Sequence, residues 1–177
     1  MNAAPTPNEL THERDALINF RDHLTSGWHH GYRWVDHKHF RLPPTPATDR
    51  ELLTALIAHE QFRDTYIGAG VIPEEPRHGP YWITAITPDQ YEPLPAHTCE
   101  RIIRDWSVPA CTESPALEAD LQREIFDPMT AADRVYHLGE LGDENTHDWG
   151  RIHEYFHEFV VIDRTAGHLT LIVAADD

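Results

Sequence analysis

Two apolar runs near the end of the chain, 159–162 and 169–174, flank a polar connector, Asp163-Arg164-Thr165-Ala166-Gly167. Runs of this length suit strands, and a glycine in a short connector supplies the positive φ that a tight reversal needs, so the pair reads as a β-hairpin. The runs are apolar at consecutive rather than alternate positions, which a strand satisfies only when both its faces are covered. The rest of the chain must therefore cover two sides of a sheet, and its helices are expected to pack across it.

Several upstream segments carry helical signals. Within 8–26, Leu10, Leu17, Phe20 and Leu24 recur at helical spacing and Gly27 ends the pattern, which predicts an amphipathic helix. Thr48-Asp49-Arg50-Glu51 is a capping box ahead of Leu52, Leu56, His59, Phe62 and Tyr66, with Gly68 and Gly70 as the stop. Cys99, Ile102, Ile103 and Trp106 repeat as i, i+3, i+4, i+7, and this places Cys99 as a core thiol rather than a nucleophile. Ser114-Pro115 supplies the N-cap and first residue of a helix carrying Leu117, Leu121 and Ile125.

Other segments read as extended. In 27–42, Tyr32, Trp34, Phe40 and Leu42 share one parity and His37 and His39 the other, which suits a strand. Residues 71–80 hold prolines and read as a loop, 81–86 as a short strand, and 133–141 as either strand or helix. The expected class is α+β, with N-terminal amphipathic helices packed on a small antiparallel sheet that ends in the C-terminal hairpin. A flexible lead-in at 1–7 precedes a single domain over 8–177, a length that buries enough surface to fold without a metal or disulfide.

Charge narrows the functional classes. Thirty Asp and Glu stand against 14 Lys and Arg, for a net charge of −16, and Lys38 is the one lysine. Such a field repels phosphate backbones and anionic membranes, so direct nucleic-acid binding and membrane association are not expected, and a basic protein is the natural complement. The carboxylates cluster at Glu74-Glu75, over 140–144 and at Asp176-Asp177. No leader-like pattern stands at 1–10, no apolar run is long enough to span a bilayer, and Cys99 and Cys111 form no C-x-x-C pair. A cytoplasmic location with reduced thiols is expected.

The segment His153-Glu154-Tyr155-Phe156-His157 fits the H-E-x-x-H pattern. On a helix that spacing brings two imidazoles to one zinc ion while the glutamate acts as general base, with His168, Asp163 or Asp176 available as third ligand. Trp149, Ile152, Phe156 and Phe159 support a helix, but the segment runs into Val160-Val161-Ile162 without a stop signal, so a strand from 152 to 163 is equally economical. In a strand the two histidines stand about 13 Å apart, too far to share an ion. A second cluster, Trp28, His29, His30, Tyr32, Trp34, His37 and His39 with Tyr155, contains the side chains of an aromatic and histidine-lined pocket. No phosphate loop, nucleophile elbow or Rossmann fingerprint occurs.

Three functions fit these residues. The leading one is an acidic intracellular protein-binding module, inhibitor-like or immunity-like and non-catalytic. The second is a small zinc-dependent hydrolase with His153, His157 and His168 as ligands and Glu154 as catalytic base. The third is a cone-shaped α+β small-molecule enzyme or carrier, with helices closing one end of a curved sheet.

Overall fold

The computed structural model describes residues 9–23, 32–68 and 70–176. Its elements are β1 (Thr11–Asn19), β2 (Arg33–Arg41), α1 (Asp49–Ala58), β3 (Arg77–His78), β4 (Tyr81–Trp82), β5 (Tyr91–Leu94), α2 (Ala96–Glu113), α3 (Pro115–Leu121), α4 (Asp127–Ala131), β6 (Arg134–Leu138), β7 (Phe156–Asp163) and β8 (His168–Asp176). Six strands form one antiparallel sheet in the order β1-β2-β8-β7-β6-β5, and β3 and β4 pair as a separate ribbon. The class is α+β, a single domain of helices on an antiparallel sheet.

The C-terminal hairpin lies at the centre of the sheet, with Phe159 opposite Ile172 and Val160 opposite Leu171. Gly167 closes the turn at φ 76°. Both faces of the hairpin are covered, as its unbroken apolar character requires. On one face Val35, Phe159, Val161, Ile172 and Ala174 pack against Cys99, Ile103 and Trp106 of α2, with Leu117 and Leu121 of α3. On the other, Phe40, Val160, Ile162, Leu169 and Leu171 meet Leu52, Leu53 and Leu56 of α1, with Phe62, Tyr81 and Tyr91. The helices thus lie across the sheet and do not close one end of a cone.

The capping signals act as their chemistry dictates. Thr48 and Glu51 make the reciprocal box at the start of α1, and the Ser114 hydroxyl accepts from the Leu117 N–H at the start of α3. A single π-helical turn, Gln122–Phe126, joins α3 to α4 and keeps Ile125 on the buried stripe of Leu117 and Leu121.

Three local expectations are corrected. The middle of the stretch expected as a helix over 8–26 is β1, an edge strand with charged and exposed positions over Thr11–Asp15; Leu17 lies in it, Leu10 precedes it and Phe20 opens a 3₁₀ turn after it, so their helical recurrence is a coincidence of spacing. Leu24 to Gly27, the rest of that expected helix, lie outside the described residues. Helix α1 ends at Ala58 rather than running on to Gly68, because His59 turns extended and its Nδ1 accepts from the Gln61 N–H at 3.1 Å to start a short 3₁₀ turn. The expected strand over 81–86 stops after Trp82, where Ile83–Ala85 coil into 3₁₀. The segment left open at 133–141 is strand β6, completed by pairing with β7.

Candidate functional site

The H-E-x-x-H segment is not a helix. Gly150–Ile152 make a 3₁₀ turn, His153 leaves it with extended backbone, and β7 begins at Phe156. His153 is buried beside Trp34 and Phe156, with Nδ1 3.0 Å from the Asp176 carbonyl and Nε2 3.2 Å from the Thr65 carbonyl. His157 packs from the other side of the sheet against Trp106 of α2, and burial pushes its pKa down to about 4. His168 stands at the far end of the hairpin beside Glu13. The three imidazoles expected to share a zinc ion are not brought together, and among the described residues no group of three or more His, Cys, Asp or Glu could hold a metal ion.

Among the described residues, the members of the expected aromatic pocket are dispersed. His37 and His39 share the α2–α4 side of the sheet, Nδ1 to Nε2 at 2.9 Å, and burial lowers both pKa values, that of His39 to about 4. Trp34 points to the opposite face, as its parity requires. Tyr155 stacks near His157, and Tyr32 is exposed with the Arg21 guanidinium over its ring. Trp28, His29 and His30 lie outside the described residues.

Two arrangements that were not visible as spacings stand out instead. The first is a rigid acidic loop over 139–155. Trp149, 62% exposed, is flanked by the exposed Glu140, Asp143, Glu144, Asp148 and Glu154. The loop is pinned from beneath: buried His147 places Nε2 2.8 Å from the Gly79 carbonyl, accepts the Trp149 N–H at Nδ1, and donates its own amide to the Pro80 carbonyl. Gly150 presses against Pro80 so closely that a Cβ there would collide with backbone. A cleft of about 420 Å³ runs beside the loop, bordered by Glu140, Asp143, Glu154, Tyr155 and His137.

The second lies on the α1 face, at the Trp34 end of β2. Lys38 is buried with Nζ 2.7 Å from Asp64 Oδ2, while Asp64 Oδ1 accepts the Tyr66 N–H at 2.8 Å and holds Tyr66 at φ 59°. The Tyr66 ring faces the Lys38 ammonium at 5.2 Å, stacks on Trp34 at 5.5 Å and meets His78 edge-on. His78, fully buried, places Nδ1 2.5 Å from the Phe62 carbonyl and Nε2 2.5 Å from Glu158 Oε2, and Tyr91 donates to Oε1 of the same carboxyl. A carbonyl can only accept, so the bond to Phe62 places a hydrogen on Nδ1. Burial pushes Asp36, beside this group, up to about 6 against the pull of Lys38, with Asp64 and Asp15 adding to the rise. Tyr66 and Tyr91 are raised well above the phenol range by burial.

Some of this cluster had a signal in the chain. Lys38 is the one lysine, and Glu158 stands directly before the apolar run of β7. Their partners Asp64 and His78 come from loops far away in sequence, and no periodicity announces them.

No family model matches the chain, and no curated protein matches it. Among solved structures, two crystal forms of citrus MAF1, in space groups C 2 2 21 and P 31 2 1, are 11% identical to it. The alignments cover 88% of this chain and 92% and 93% of those chains, with TM-scores of 0.43 and 0.44.

Proposed function

We propose that the chain is a non-catalytic docking module for a basic protein, working as an inhibitor or neutraliser in the cytoplasm. The observation that carries this reading is Trp149, an exposed indole on a loop fixed by His147 and Gly150 that also carries the exposed Glu140, Asp143, Glu144, Asp148 and Glu154. An aromatic anchor held rigid before binding loses little entropy on association, and surrounding charge steers the encounter. Within the loop Arg151 lies 3.5 Å from Asp143 and offsets one of these carboxylates, while the chain as a whole keeps a net charge of −16. Arg33, Arg41, Arg50, Arg77, Arg104, Arg123, Arg151 and Arg164 each already face a carboxylate of the same chain. The acid surplus is therefore left to the surface. Among the described residues no helix is long and apolar enough to cross a membrane, and Cys99 and Cys111 are unpaired with thiol pKa values raised to about 11 by burial.

The test is affinity capture with the whole chain and with Trp149→Ala, at low and at moderate salt, followed by association kinetics on the captured protein. A basic protein held by the parent, released about tenfold or more faster from Trp149→Ala, and binding more slowly as salt rises supports the reading. Retention of no basic protein at either salt, or equal retention by Trp149→Ala, overturns it.

A further inference from the structure

The Trp149 loop hangs on an imidazole whose two nitrogens have opposite duties. Nε2 of His147 lies 2.8 Å from the Gly79 carbonyl, which can only accept, so Nε2 carries a hydrogen. Nδ1 lies 3.2 Å from the Trp149 N–H, which can only donate, so Nδ1 must keep its lone pair. One species makes both bonds, the neutral Nε2–H tautomer. A proton added to that ring has one place to go, Nδ1, where it sets one donor against another.

The ring is buried, so no bulk water stands by to take over the lost bond. The Trp149 peptide must then turn away from the imidazole to find a partner. The other supports of the loop do not involve that proton: the His147 amide bonded to the Pro80 carbonyl, the bridge between Thr146 and Tyr81, and the contact of Gly150 with Pro80. Protonation therefore frees the peptide that carries the exposed indole and leaves the base of the loop in place.

Several groups surround the ring. From the loop before β3, the buried Glu75 carboxylate lies within Coulombic reach, and Arg77 of β3 is bonded to both of its oxygens. Trp82 of β4 meets the imidazole edge-on at 5.9 Å and brings no charge. The loop itself adds Asp143, Glu144, Asp148 and Arg151. His153, at the other end of the loop, faces the carbonyls of Asp176 and Thr65 with its two nitrogens, so a proton there adds a bond and loosens nothing.

We propose that His147 is a proton-operated latch on the Trp149 loop: the neutral ring holds the Trp149 peptide in one geometry, and protonation in mild acid releases it. As regulation of docking, the latch rests on Trp149 being the anchor for a basic partner. As a property of the loop it is read on the free protein, so failure of the latch and failure of docking are separate results.

The ring nitrogens of His147 and the backbone amide of Trp149 are followed by NMR on the whole protein from pH 8 to pH 5, the interval in which imidazoles change charge. At pH 8 the ring is expected as the neutral Nε2–H tautomer. As pH falls, the Trp149 amide proton is expected to move upfield with the same midpoint as the ring. Its solvent exchange should rise about three- to tenfold relative to the His147 amide, the factor that one lost hydrogen bond supplies. His147→Asn keeps an acceptor for the N–H two residues on and takes up no proton, so its Trp149 amide should hold its shift throughout. An Nδ1–H ring at pH 8, a ring still neutral at pH 5, a Trp149 amide that ignores protonation of the ring, or the same shift in folded His147→Asn overturns the proposal. The first three are read on the unmodified protein, whatever the behaviour of the variant.

Discussion

The chain's one lysine, Lys38, places its ammonium 2.7 Å from the Asp64 carboxylate, and both side chains are almost fully buried. Strand β2 supplies the cation and the loop after α1 supplies the anion, so the pair ties that loop to the sheet. Removing one partner strands the other charge in a poorly solvated site. Asp64→Ala is expected to lower unfolding free energy by about 3–5 kcal/mol, whereas the double change Lys38→Met with Asp64→Leu loses less than either single change. Urea denaturation of the three variants checks both statements.

Asp36 gives the protein a pH dependence of unusual sign. Its carboxyl is raised from 3.8 to about 6, chiefly by burial, so between those values the folded protein holds a proton that the unfolded chain releases. The stability it contributes is complete below pH 3.8 and is lost as pH rises through 6. Asp36→Asn is therefore expected to stabilise the protein at pH 8 by at most about 3 kcal/mol, with the gain vanishing near pH 4. Denaturation midpoints for parent and variant across that range decide it.

His157 works the other way. Burial against Trp106 lowers its pKa from 6.5 to about 4, so it stays neutral when folded and takes up a proton when unfolded. Its contribution is complete above pH 6.5 and is lost as pH falls towards 4. His157→Gln should flatten the fall in melting temperature over that interval, and the His157 ring resonance should not titrate until close to pH 4.

Gly150 fixes the Trp149 loop by close approach to Pro80. Gly150→Ala should cost about 1–3 kcal/mol by forcing the two backbones apart. Hydrogen exchange should show the effect as faster exchange of the His147 amide, which is bonded to the Pro80 carbonyl, with the β7–β8 amides unchanged.

The elements legible in the chain are those fixed by local chemistry or by a strong pattern. Thr48 and Glu51 satisfy the first N–H groups of α1 from within a single turn, and the unbroken apolar character of 159–162 with 169–174 marks strands covered on both faces. Strand β1 was illegible because its identity comes from pairing with β2, not from its own alternation: an edge strand exposed at Thr11 and over Glu13-Arg14-Asp15 carries almost no hydrophobic signal. The H-E-x-x-H pattern misled for the complementary reason, since the segment leaves its 3₁₀ turn extended at His153 and enters β7 only at Phe156, which sends His153 and His157 to opposite sides of the sheet instead of to the common face a helix would give. Tyr66, Asp64 and His78 became neighbours of Lys38 and Glu158 only through tertiary folding, which spacing along the chain does not encode.

Strand β8 has a further consequence for how the molecule is made. It is the last strand in chain order, yet it sits between β2 and β7 and joins the β1–β2 hairpin to the β5–β6–β7 half. During vectorial synthesis the two halves emerge from the ribosome with no shared edge, and each exposes an apolar strand flank until residues 168–176 arrive to bridge them. Assembly is thus gated by the final strand, and the nascent chain is most exposed to aggregation and to chaperone capture just before it appears.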